Sequence, residues 1–334
     1  TLSGGEILSN TAGGTTILEG GGGVYVDDDS ATFTQTNSRS VIGANTANLG
    51  GGLYAYQGSA VLDGGAIVGN SGGAGGGGLY IREGQATLIG AEIVSNTSDY
   101  GGGVYVFNSS ASFTQVGDNS IVAHNTATDW GGGLYAYSGQ MVLSGGQVRD
   151  NTAVNRGGGV YLFVSSAAFT QTGTSTIMHN NAGAGGGLYA YDGTAVLSGG
   201  QIVSNTADGT SCIYDGGGGV YVNQATVTLS GVQVTGNTAD CNGGGVVTAH
   251  PNGMLNATSG VIGGNTATQG GGLYVRNGNA ALGGTGQIIS NTAEDGGGVY
   301  IFASTVAFTQ TGESLIAGNT ATGTVGQRGG GVYV

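Results

Sequence analysis

The sequence has no lysine, one proline, two cysteines and one tryptophan, and each scarcity excludes something. Glycine supplies 76 of 334 residues, yet a single proline rules out a collagen triple helix. Six basic residues, all arginine, face 19 acidic ones, and the net charge of -13 would repel a nucleic-acid backbone. No apolar run approaches the roughly 18 residues of a membrane helix, so no insertion of this segment into a membrane is expected. Charged residues amount to only 7 %, but hydrophobic ones reach 38 %, too many for a solvated glycine linker. A repeat architecture is what remains. The chain opens on Thr1-Leu2-Ser3-Gly4-Gly5 without a signal peptide, which reads as a mature or excised segment of something longer.

Two phrases recur with one period. Gly-Gly-Gly-[Val/Leu]-Tyr places tyrosines at Tyr25, Tyr54, Tyr80, Tyr105, Tyr135, Tyr161, Tyr189, Tyr221, Tyr274, Tyr300 and Tyr333, with Val247 standing in a further copy. [Ile/Val]-x-x-Asn-Thr-Ala places asparagines at Asn10, Asn45, Asn70, Asn96, Asn125, Asn151, Asn180, Asn205, Asn237, Asn265, Asn291 and Asn319. A third segment, Ala-x-[Leu/Phe]-[Ser/Thr], lies between them, as in Ala31–Thr34 and Ala195–Ser198. Apolar residues alternate with others inside each segment, the period of a half-buried strand, and no helical period competes. Three short strands per repeat of about 28 residues predict an all-β, right-handed, three-sided parallel β-helix of about 11 to 12 rungs, one solenoid over 1–334. The least regular rung is expected near 246–265, where the tyrosine is lost and Pro251 sits.

Stacked asparagines at one inward corner predict an amide ladder that satisfies itself from rung to rung. The tyrosines alternate with inward aliphatic residues, so they are expected to form an aromatic ladder on one outer face, joined two residues later by Tyr56, Phe107, Tyr137, Phe163, Tyr191 and Phe302. Rungs fall into two kinds, one marked by Phe-Thr-Gln at Phe33, Phe113, Phe169 and Phe308, the other by Leu-[Ser/Asp]-Gly at Leu62, Leu143 and Leu197. Phe in one rung beside Leu in the next is expected to fill one packing column.

The pairing of Ile93-Val94-Ser95-Asn96-Thr97 with Gly101-Gly102-Gly103-Val104-Tyr105 resembles the repeats of polymorphic outer-membrane protein passengers, and equally those of bacterial secreted right-handed parallel β-helix proteins. The resemblance covers essentially the whole chain. It implies a bacterial protein that is secreted or displayed on the cell surface, often an adhesin. The sequence departs from the passenger motif in using Ile or Val where Phe is usual.

Several residues invite chemistry. Cys212 and Cys241 fall one rung apart in equivalent loops, within reach of a disulfide, which points to an oxidising compartment. His124, Asp150 and His179 form a column just before the ladder asparagine, a candidate transition-metal set or else a hydrogen-bonded surface stack. Asp27-Asp28-Asp29 and the scattered loop acids are candidate oxygen ligands for calcium, without a regular Asp-x-Asp spacing. No catalytic or cofactor-binding residue is expected. The arginines Arg39, Arg82, Arg149, Arg156, Arg276 and Arg328 are dispersed, no lysine exists, and no carboxylate pair is set in one cleft as a polysaccharide lyase or hydrolase requires.

The chain begins on one strand type and stops on another, with no polar cap. That reads as truncation of a longer protein or as end-to-end stacking of copies. The sequence thus points to a non-enzymatic extracellular structural protein, a fibre or stalk subunit whose partner is itself. The alternative is a surface adhesin that binds glycans through its aromatic face.

Overall fold

The computed structural model describes residues 1–14, 16, 19–303, 306–324 and 329–334; Arg328 and most of the loop that follows Thr322 lie outside them. The chain is an all-β solenoid of three parallel sheets, with about 11 turns of about 27 residues. It divides into two compact units, Thr1–Val154 with Gly159–Phe169, and Asn155–Gly158 with Thr170–Val334.

In the first unit the Gly-Gly-Gly-[Val/Leu]-Tyr strands pair in register, Tyr25 to Tyr54 to Tyr80 to Tyr105 to Tyr135 to Tyr161. In the second, Tyr189 pairs with Tyr221, Tyr221 with Val247, Val247 with Tyr274, and Tyr274 with Tyr300. The rung around 246–265 therefore keeps its register, and Pro251 sits in a turn between Val246–Thr248 and Met254–Ala257. Aliphatic side chains flanking each tyrosine, such as Leu79, Ile81, Val104 and Val106, are fully buried in the interior.

The three sides are not the three expected strands. Segments such as Thr32–Thr36 and Val41–Gly43 belong to one sheet, bent between them. The third side is the Thr-Ala segment after the corner asparagine, as in Thr46–Leu49, Thr97–Tyr100 and Thr126–Trp130, a strand separate from the one that precedes the asparagine. Such strands are short, often two residues long, and too brief for alternation to reveal them.

Packing columns differ as well. Phe33 lies opposite Ala60, and Phe113 lies between Ala86 and Met141, whereas Leu62 lies opposite Gln35 and Leu88 opposite Gln115. Phe and Leu thus do not share a column. Phe33, Phe113 and Phe308 each lie opposite one alanine while the glutamine two residues on lies opposite a leucine, so a large ring and a small side chain alternate with a pair of middling volume.

Glycine is dictated at the corner by close backbone approach. A Cβ on Gly102 would lie 2.5 Å from the Thr126 carbonyl oxygen and 2.7 Å from that of Gly132. Gly101 just before it has φ of +61°, the left-handed region.

Candidate functional site

The asparagine corner is the most regular feature of both units. In the first, each Nδ2 donates to the next Oδ1 along Asn10, Asn45, Asn70, Asn96, Asn125 and Asn151, at 2.9 to 3.0 Å. The second repeats this along Asn180, Asn205, Asn237, Asn265, Asn291 and Asn319 over the same distances. The same oxygen accepts the backbone N–H of the preceding ladder residue, as in Asn70 N to Asn96 Oδ1 at 2.9 Å. The second Nδ2 hydrogen goes to a carbonyl one turn earlier, as in Asn96 to Ile67 O at 3.0 Å. Each interior amide therefore has its capacity spent inside the protein. The residue before each ladder asparagine has positive φ in all twelve turns, from 53° at Ala44 and His179 to 64° at Gly69 and Gly236. This explains why Ser, Gly and other small or polar residues dominate that position.

Within that left-handed column the candidate metal residues do not assemble a site. Arg149 Nη1 donates to Asp150 Oδ2 at 2.6 Å, and His124 Nε2 stands 3.9 Å from the same oxygen and 3.4 Å from Arg149 Nη1. A guanidinium already neutralises the carboxylate. His179 belongs to the other unit. Among the described residues no group of three or more His, Cys, Asp or Glu side chains is placed to hold an ion. The acids at 27–29 are used in their own turn: Asp28 Oδ1 accepts from the Ser30 N–H and hydroxyl, both at 2.9 Å, and Asp27 Oδ1 from the Asp28 N–H.

Cys212 and Cys241 are bonded, with Cα atoms 4.9 Å apart and a sequence separation of 29. The bridge ties the exposed segment around Ser211–Tyr214 to the buried Cys241. The segment is also held from outside by the Arg276 guanidinium, which donates to Ile213 O and lies 5.5 Å from the Tyr214 ring centroid.

The tyrosine ladder corrects the expectation of an exposed face. Tyr54, Tyr80, Tyr105, Tyr135, Tyr161, Tyr189, Tyr221, Tyr274 and Tyr300 are all buried, while Tyr25 is 39 % exposed and Tyr333 is half-buried. Alternation does send these rings away from the solenoid interior, but each is covered in turn. Neighbouring rings pack at centroid distances of 4.6 to 5.3 Å, as in Tyr80–Tyr105, Tyr105–Tyr135 and Tyr135–Tyr161. From the ends of the third-side strands, Tyr100 packs on Tyr135 and Trp130 on Tyr161. The aromatic residues immediately before the glycines, Tyr100 and Trp130, were the sequence signal for this cover.

Burial pushes the phenols of Tyr54 and Tyr274 up to about 12 and also raises those of Tyr80, Tyr105, Tyr135 and Tyr221. Because the folded state holds the neutral phenol, its contribution to stability is complete below the unfolded value near 10 and is lost as pH rises toward 12. An alkaline titration followed by ultraviolet absorbance is expected to show these rings ionising only as the fold is lost. Reversible ionisation of all sixteen tyrosines near pH 10 in the folded protein would show the ladder to be open.

The second aromatic row keeps partial exposure, 36 % at Tyr137, with Phe107 and Phe163 half-buried. Phe107 and Tyr137 stack at 5.2 Å with planes 25° apart, and Arg82 sits over both Tyr56 and Phe107, at 5.4 and 5.7 Å. The rings of Phe107, Tyr137 and Phe163 pack on one another, whereas Phe302 in the same row is 61 % exposed.

No protein-family model, no curated protein and no solved structure matches the chain.

Proposed function

We propose that this is a non-enzymatic structural protein, a subunit of an extracellular β-helical fibre or stalk that works by stacking turn on turn, including turns of a second copy. The observation that carries this reading is the self-complementarity of the turn. Backbone register and amide ladder recur from turn to turn, so one edge of a turn offers donors where the facing edge of the next offers acceptors, and a turn of a second copy would meet the same pattern. An extracellular setting is supported by the Cys212–Cys241 disulfide. Secretion by a bacterium rests on the resemblance of the repeat to passenger proteins. Adhesion to glycans is the weaker reading, because most of the tyrosine column is buried and Phe107, Tyr137 and Phe163 pack against one another.

Sedimentation velocity over a range of concentrations tests the proposal, alongside incubation with neutral and acidic polysaccharides. The expected result is mass that grows by whole subunits, with no polysaccharide retained or cleaved. A chain that stays monomeric at every concentration and binds a polysaccharide saturably would overturn it.

A further inference from the structure

One turn of the second unit has lost packing in three columns at once. Val247 stands in register between Tyr221 and Tyr274, Thr248 between Val222 and Val275, and Ala257 between Leu229 and Leu282. Thr248 is fully buried, and its Oγ1 has no hydrogen-bond partner among the described residues. Beside Ala257 a void of about 10 Å³ remains, lined by Leu229, Leu282, Ile262 and Ser259. A missing ring and a void cost the turn contacts, and an orphaned hydroxyl costs it desolvation with nothing in return. Register and amide ladder nevertheless run through it, with Asn237 Nδ2 donating to Asn265 Oδ1 and Asn265 Nδ2 to Asn291 Oδ1, both at 3.0 Å. This turn is correctly placed but poorly filled.

The disulfide-bonded segment straddles that turn. Residues 211–215 fold on themselves, with Ser211 O accepting from the Tyr214 and Asp215 N–H groups at 2.8 Å. One anchor lies just ahead of the weak turn, where Cys241 carries the bridge and Asn242 Nδ2 donates to Cys212 O. The other lies one turn beyond, where Arg276 donates to Ile213 O and sets its guanidinium 5.5 Å from the Tyr214 ring centroid. Burial raises the phenols of Tyr221 and Tyr274, and the Arg276 cation opposes the rise at both, which puts that cation beside the gap that Val247 leaves between them. A strap fastened on both sides of a turn resists its opening, because the flanking strands Val220–Val222 and Leu273–Val275 cannot part without breaking one of its contacts.

We propose that the Cys212–Cys241 bridge is a redox latch: bonded, it keeps the strap across the turn at 246–265 and that turn closed; reduced, it makes this turn the first place at which the second unit opens. Cys212 is exposed while Cys241 is buried, so a dithiol reaches the bridge from the side of Cys212. The dithiol gives up two electrons and two protons: its sulfurs join as a disulfide, the Cys212–Cys241 bond breaks, and each cysteine becomes a thiol. The strap then has little to keep it docked, since Ile213 is 58 % and Tyr214 61 % exposed.

Hydrogen exchange read by mass spectrometry on the full chain, oxidised and in dithiothreitol, tests the latch. On reduction, amides in 246–265 are expected to exchange about a hundredfold faster, the factor that the lost loop constraint implies, while those in 287–292 change less than about threefold. Cys212→Ser with Cys241→Ser is expected to give the reduced pattern without reductant. Filling the turn separates the latch from general loosening. Val247→Tyr with Thr248→Val and Ala257→Leu restores the residues that the neighbouring turns carry, and this variant is expected to keep 246–265 protected even when reduced. Thr248→Val alone, a methyl for a hydroxyl of the same shape, is expected to recover part of that protection. Reduction that speeds exchange only in 209–215, or equally throughout the second unit, would overturn the latch. So would a Thr248→Val chain whose turn opens on reduction as readily as the native one.

Discussion

Asn96→Leu is expected to destabilise the first unit by about 4 kcal/mol, read as a lower denaturant midpoint for the protein. Asn96 is fully buried and takes part in four ladder bonds that leucine cannot make. It donates to Ile67 O and Asn125 Oδ1, and it accepts from the Asn70 N–H and Asn70 Nδ2. Leucine is close in size, so little cavity forms; the cost lies in leaving a buried N–H, a buried carbonyl and two amides short of partners. Asn10→Leu is the internal comparison. Asn10 is exposed at the edge of the ladder and only donates to Asn45, so its loss is expected to cost under about 1 kcal/mol. Equal effects at the two positions would mean that the ladder is not what holds the corner.

The second large effect is expected from Cys212→Ser with Cys241→Ser, or from reduction of the bridge. Closing a segment whose ends are 29 residues apart restricts the unfolded chain, and the loop-entropy relation places the stabilisation at about 3.5 kcal/mol. The loss should appear as a lower unfolding midpoint in reductant for the native protein and no change in reductant for the double variant. It should also open the segment around Ser211–Tyr214 to proteases before the rest of the second unit yields. Indifference of the native protein to reductant would show that the Asn242 Nδ2 bond to Cys212 O and the Arg276 contacts hold the segment without the bridge.

Much of this fold is legible in the sequence because a solenoid writes each spatial column as a repeated letter. The asparagine column and the aliphatic residues either side of each tyrosine could be assigned to the interior from alternation and period. Alternation, however, reports only which side of a strand a residue faces, not whether that side is covered. Tyr80 and Tyr135 face away from the interior and are still 2 % exposed, because neighbouring rings close over both and Tyr100 packs on Tyr135. The third side was missed for a different reason: a strand as short as Thr152–Ala153 carries no pattern of its own. It exists because the asparagine corner aims it.

The glutamines show a third kind of difficulty. Phe-Thr-Gln marks a rung type in the sequence, but nothing in one rung says that Gln35 reaches into the space that Gly65 leaves in the next. That relation belongs to the pair of turns. It becomes visible once the register between them is known, and it links local sequence to packing and then to the choice of neighbour.

The central proposal is that a turn of this solenoid is completed by another turn like it, in a second copy as within one chain. Electron microscopy of the purified chain across a range of concentrations tests it most directly. The account predicts filaments with a repeat of one subunit, in which the strand spacing of about 4.8 Å runs through the junctions without a break. Particles that remain single at every concentration, or that cluster with no axial repeat, would contradict it.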